Sequence, residues 1–257
     1  MSNISRTEND YNIYNMSQKP KHIMDLIPEF LKIIKKLEKI KETIVKGSEI
    51  EYKSQDARMV ALDSLQRLIS SVGMWIQCLN SLANFHTKDG SFDETGFLRS
   101  VGSGVDKDST ERIMIDFLRL GFVTLIHFQI ENLFHNILKH LNVLPKKTGY
   151  WYLTDAILEQ CSIKKSGYEK DVLTAFAYIR NSLHGNGIHR NPDLTRKIGG
   201  RELNFIKGKR IECATWEDII VLLIANVEVL EKVLLSDKVI NIKTEIKDDF
   251  ASTAPPA

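Results

Sequence analysis

Apolar residues recur at helical spacing through most of this chain, and the stops between the runs divide it into elements. After Pro28, Phe30, Ile33, Ile34, Leu37, Ile40 and Ile44 return every three or four residues as far as Gly47, which predicts a first amphipathic helix. Leu62, Leu65, Ile69, Val72, Ile76, Leu79 and Ala83 form the seam of a second. Leu68, Trp75 and Leu82 widen that stripe, so this helix is expected to meet more than one neighbour. Lys88 to Asp108, with four glycines, reads as a long loop, and Asp108-Ser-Thr-Glu111 as a capping box. The next run, about Thr110 to Leu141, is apolar on nearly every side and predicts the central helix of the fold.

Two further helices are expected over about Tyr152 to Gln160 and Tyr168 to His184, the second buried on Val172, Phe176, Ile179 and Leu183 and ended by Gly185 and Gly187. The period then changes to that of a strand. Leu203 and Phe205 alternate with polar residues, Lys207-Gly208 makes a turn, and Ile211 and Cys213 alternate on the return, which predicts a small hairpin before a last helix over about Thr215 to Leu235. The fold expected is all-α, one helical bundle over residues 21–240 with an inserted β-hairpin, flanked by loose segments at 1–20 and 241–257.

Composition narrows the function classes. Thirty-five Lys and Arg against 33 Asp and Glu leave a net charge of +2, so any polyanion site must be local. Three scattered cysteines fit neither a disulfide framework nor a paired zinc site, and the simplest compartment is a reducing cytoplasm. No uninterrupted run approaches the ~18 apolar residues of a bilayer span, so no membrane partner is expected. The chain carries no Gly-x-Ser-x-Gly elbow, no Walker pattern and no His-Glu-x-x-His, and no cofactor or metal is called for.

The chemistry that remains is concentrated at Arg180-Asn181-Ser182-Leu183-His184. At 100° per residue, Arg180 and His184 stand one turn apart on the shoulder of the buried face, while Tyr178 and Asn181 mark the side expected to meet solvent. A guanidinium and an imidazole bordering a buried surface suggest a crevice, and the free carbonyls of the helix end favour the charged imidazole. The same two residues could equally satisfy those carbonyls and do nothing more.

An all-helical bundle with Arg, a polar residue and a histidine closing a late helix resembles the HEPN superfamily of prokaryotic toxins, defence proteins and RNA-processing factors. The string Arg180-Asn-Ser-Leu-His-Gly-Asn-Gly-Ile-His189 is most similar to plasmid- or phage-borne members. The resemblance implies a metal-independent endoribonuclease acting as a homodimer whose two Arg/His sites face each other. His184 would take the ribose 2′-hydroxyl proton, Arg180 would stabilise charge on the phosphate, and Asn181 would hold the histidine or a backbone group. The family's ribonuclease motif sets four to six residues between Arg and His. Here three lie between Arg180 and His184 and eight between Arg180 and His189. That departure keeps a second reading open, a non-catalytic HEPN-like module that binds RNA, a nucleotide or a partner protein such as an antitoxin.

His189, a stripe on the central helix and a run of cations could support the site. Thr124, His127, Glu131 and His135 form a polar stripe on the central helix that could serve a homodimer surface, support Arg180 or, least favoured because one helix offers at most three ligands, hold a metal; Glu131 is expected to pair with Arg180 or orient His184. Between Arg180 and Arg210 stand eight cations against Asp193 and Glu202. Arg190, Arg196, Lys197, Arg201, Lys207, Lys209 and Arg210 are therefore the expected RNA-binding set, unless they only keep a hairpin edge soluble.

Overall fold

The structure is a computed structural model, and it describes residues 23–48, 55–83 and 107–248. The chain enters through a 3-10 turn, Ile23–Leu26, and continues as α1 (Ile27–Ser48), α2 (Ala57–Ala83), α3 (Lys107–His140), α4 (Tyr150–Gln160) and α5 (Tyr168–His184). After the strands β1 (Leu194–Ile198) and β2 (Arg201–Phe205) come α6 (Trp216–Leu234) and a short α7 (Asp237–Ile240). The glycine-rich loop expected after Lys88 lies outside the described residues, as do the side chains of the apolar positions at the end of α2 and of the capping-box sequence.

The packing follows from the stripes. α1 meets α2, α2 meets α3, α3 meets α5, α5 meets α6, and α6 returns to α1, so the long helices close a ring around a single core. Phe30, Leu62, Leu65, Phe122, Ile126, Phe134, Phe176 and Leu230 are buried in it. Thr215 caps α6 through a box with Asp218, each side chain taking the other's backbone N–H.

α3 is less enclosed than its composition suggests. It packs on α2, α4 and α5, but Ile113 is 68% exposed and Phe117 76%, with Leu125 and Phe128 also open on neighbouring turns. By length and composition Ile113–His140 could cross a bilayer. In the bundle the same helix buries Arg119, His127, Asn132 and Asn136 against other parts of the protein. Trp75 of α2, expected to widen a buried seam, is half exposed.

The hairpin forms with a different partner from the one expected. β2 contains Leu203 and Phe205 as predicted, but it pairs antiparallel with the segment before it, Leu194 facing Phe205 and Ile198 facing Arg201. The turn is Gly199-Gly200, both at positive φ (53° and 83°), the conformation a two-residue hairpin demands. A Cβ on Gly199 would also collide with the Val221 side chain of α6. Lys207-Gly208 does turn the chain, yet the return does not lie on β2. It pairs instead with the residues after α5, Ile188 opposite Arg210 and the His189 N–H on the Lys209 carbonyl.

Segment 241–248, expected to be loose, belongs to the packed body. Ile246 is fully buried, its N–H donates to Asp56 and its carbonyl accepts from Ala57. Arg58, also fully buried, grips Asp56 through two nitrogens and donates to the carbonyls of Val239 and Ile242. The bulky residues that dock here, Ile242 and Ile246, are too few to set up a period.

Candidate functional site

α5 ends where its sequence says, through a more specific device. The Gly187 N–H reaches the Ser182 carbonyl at 2.7 Å, and the left-handed residue between is Asn186 (φ 57°), not Gly185. This is the Schellman arrangement, and it fixes His184 at the last turn. The face beyond Tyr178 is not solvent. The hairpin covers it, so Tyr178 is buried against Trp151, His189 and Phe205.

α3 and α5 run past each other so that the polar stripe of one meets the Arg/His shoulder of the other. His184 is exposed, and its Nε2 lies 2.9 Å from Thr124 Oγ1. The hydroxyl thus orients the ring and leaves Nδ1 as the nitrogen with no hydrogen bond. Deeper along the same contact Arg180 is half-buried. Its Nη1 donates to Asn181 Oδ1 at 2.9 Å, while its Nε is enclosed without a partner. Asn181 therefore holds the arginine, where the sequence reading assigned it to the histidine or the backbone. The two side chains are adjacent in sequence at the helix surface, and a guanidinium is the stronger donor for an amide oxygen.

Glu131 also departs from expectation. It is half-buried and faces His127, Oε2 lying 3.7 Å from Nδ1, instead of forming an ion pair with Arg180. Burial raises its carboxyl above the ordinary range, opposed by the charges of Arg180 and His135. His127 itself is buried, with Nε2 unpartnered and its ring 4.3 Å from that of Tyr150. Burial first, and the neighbouring Arg180 charge second, lower its pKa to about 4, so it is neutral at physiological pH. Tyr150 is held as the neutral phenol by burial and by the Glu131 charge.

His189 has no part in this cluster. It is fully buried on the hairpin side, with Nε2 3.0 Å from the Pro192 carbonyl and Nδ1 3.3 Å from Ser182 Oγ. Pro192 offers only an acceptor, so Nε2 carries a proton and both ring nitrogens are occupied. It packs the hairpin onto α5 and cannot support the chemistry of Arg180.

The basic set divides. Arg196 and Arg201 lie on the inward face of the hairpin, in register with Leu203 and Ile198, and each is taken by a carboxylate, Arg196 by Asp171 of α5 and Arg201 by Asp218 of α6. They pin the sheet to the helices. Asp171 is near the start of α5, so Arg196 and its neighbour Lys197 stand about 20 Å from the His184 end at 1.5 Å per residue. Arg190, Lys207, Lys209 and Arg210 are exposed on the segments that return beside Gly187 to His189, next to that end.

The site is an open face. A recess of about 780 Å³ beside Lys36, Cys161 and Lys232 lies away from it, and one of about 670 Å³ beside Asn204 and Asp218 reaches it only through Lys209 and Arg210 of the basic cluster. Tyr150 is the member that sequence reasoning missed. His127 was visible only as one position of a stripe, and the start of α4 that carries Tyr150 had no signal linking it to Arg180. No protein-family model, curated protein or solved structure matches the chain.

Proposed function

We propose that this protein is a HEPN-like, metal-independent endoribonuclease that works as a homodimer, its two Arg180/His184 sites closing on one RNA strand. The observation that carries the reading is the pairing itself. An exposed imidazole anchored through one nitrogen, a half-buried guanidinium and a cluster of four cations stand at one helix end. In this mechanism Nε2–H of His184 donates to Thr124, and Nδ1 takes the proton of a ribose 2′-hydroxyl. The 2′-oxygen attacks the adjacent phosphorus while Arg180 stabilises the charge on the non-bridging oxygens. The P–O5′ bond breaks, leaving a 2′,3′-cyclic phosphate and a 5′-hydroxyl whose proton comes from the twin imidazole or water. Arg190, Lys207, Lys209 and Arg210 would hold flanking phosphates.

The homodimer supplies what the single chain lacks. Ile113, Phe117, Leu125 and Phe128 leave an apolar strip exposed on α3 around Thr124, the residue that holds His184. A second copy seated there would bury the strip and turn an open face into a cleft. A role in phage defence, plasmid maintenance or a toxin pair belongs to this reading.

The short Arg-to-His spacing and the tie of His184 to Thr124 favour one other reading, a HEPN-like module that binds RNA or a partner protein without cutting. Purified protein incubated with single-stranded RNA in chelator separates the two. Nuclease action gives cyclic-phosphate ends and is lost in His184→Ala and Arg180→Ala. Salt-dependent binding without cleavage, unchanged in His184→Ala, supports the module, and cleavage that survives both substitutions contradicts the proposed site.

A further inference from the structure

Two buried polar atoms in the α3–α5 contact have no partner, Nε2 of His127 and Nε of Arg180. They belong to residues on two helices, α3 and α5, that pack against each other. Leaving both unsatisfied would cost each its full desolvation penalty. The two are chemically complementary. An arginine Nε–H can only donate, whereas an imidazole nitrogen accepts if the proton sits on the other nitrogen. Nδ1 of His127 faces the Glu131 carboxylate, which favours the proton there and leaves Nε2 as an acceptor.

We propose that His127 is a positioning residue for Arg180, its Nε2 accepting the Arg180 Nε–H through one enclosed water. The groups facing His127 fit this assignment from every side. Glu131, with His135 beyond it on α3, orders the Nδ1–H. Tyr150 of α4 packs against the ring and keeps bulk solvent away. Burial first, and the charge of Arg180 on α5 second, oppose a positive charge on the ring, so the imidazole stays a neutral acceptor. Arg180 is then held at two points, Nε toward His127 and Nη1 on Asn181. A guanidinium fixed in this way costs little reorganisation when a phosphate arrives. The inference rests on the reading of Arg180 as the working cation, but its test does not require catalysis.

The test is nitrogen-15 NMR of the full chain, with the Arg180 Nε–H signal assigned by Arg180→Lys. His127 is expected in the Nδ1–H tautomer and neutral down to about pH 5, well below its unperturbed value. The Arg180 Nε–H should exchange with solvent about tenfold more slowly than in His127→Phe. His127→Gln, which restores a carbonyl acceptor beside Tyr150, should recover most of that protection. An Nε2–H tautomer overturns the proposal, as does exchange unchanged in a folded His127→Phe. If His127→Phe does not fold, the tautomer and the His127→Gln exchange rate decide. Absence of RNA cleavage would remove the nuclease reading and leave these outcomes standing, whereas cleavage with an Nε2–H tautomer would remove only the role of His127.

Discussion

Among the described residues, the buried polar cluster at the start of α2 and the one in the α3–α5 contact are built on opposite principles. At the start of α2, Asp56 and Arg58 are both fully buried, and the guanidinium spends its donors on the carboxylate and on the carbonyls of Val239 and Ile242. The remaining demand on Asp56 is met by the N–H groups of Arg58 and Ile246. In the α3–α5 contact, Arg180 and His127 each keep an unpartnered buried nitrogen, and Glu131 stands between charges without a short bond to either. A closed cluster fastens chain segments together. An open one holds polar groups at a cost that folding alone does not explain, which is where strained sites and function are expected to coincide.

Breaking the closed cluster should have the largest effect. Asp56→Ala strands a buried guanidinium and should destabilise the protein by about 3–5 kcal/mol, read as a lower urea midpoint with little change in slope. Removing both partners, as in Asp56→Ala with Arg58→Met, should cost less than Asp56→Ala alone. A small loss in the single variant would mean that segment 239–246 is not held by this pair.

The open cluster should show itself through pH. Because His127 has a folded pKa of about 4 against 6.5 in the unfolded chain, the unfolded state binds the proton first. Its contribution is complete above pH 6.5 and is lost as pH falls from 6.5 toward 4, on the order of 3 kcal/mol in all. The raised carboxyl of Glu131 works the other way, adding stability as it protonates, and blunts the lower part of the fall. The His127→Phe profile should lack the slope between pH 6.5 and 5. A slope that persists in that variant assigns the titration to another group.

The two histidines after Arg180 sharpen the contrast at smaller scale. His189→Ala removes a buried ring bonded at both nitrogens and should cost roughly 2–3 kcal/mol. His184→Ala, at an exposed ring, should change stability by no more than about 0.5 kcal/mol. Thermal melts of the pair check this, and the reverse order would exchange their roles. Smallest of all is the expected difference in the basic set. Neutralising Arg196, half-exposed and paired with Asp171, should alter stability by about 0–1 kcal/mol and leave RNA affinity nearly unchanged, whereas neutralising Lys207 or Lys209 should weaken affinity and flatten its salt dependence.

These contrasts also mark what could be read from the chain. Helices α1, α2, α3, α5 and α6 were legible because their stripes run for many turns, and α5 was bounded correctly at both ends. The hairpin partner was not. Leu194 and Ile198 are too few to show a period among Thr195, Arg196 and Lys197, although Gly199-Gly200 is the turn signal that could have located it. Arg180 and His184 stood out as residue types at a helix end, and the shoulder position was correct for Arg180. Thr124 as the partner of His184, Asn181 as the partner of Arg180, and the docking of Ile246 under Asp56 depend on which helices touch, and periodicity does not specify contacts between elements.

The nuclease account depends on a ribose 2′-oxygen as the attacking atom, and a single substitution in the RNA tests that most directly. Incubated in chelator, an RNA carrying one 2′-deoxynucleotide at the position of cleavage should be left whole there while the all-ribose strand yields a 2′,3′-cyclic phosphate at that bond. Cleavage at the deoxynucleotide, or cleavage of the ribose strand that appears only when a divalent metal is supplied, would contradict the chemistry assigned to His184 and Arg180.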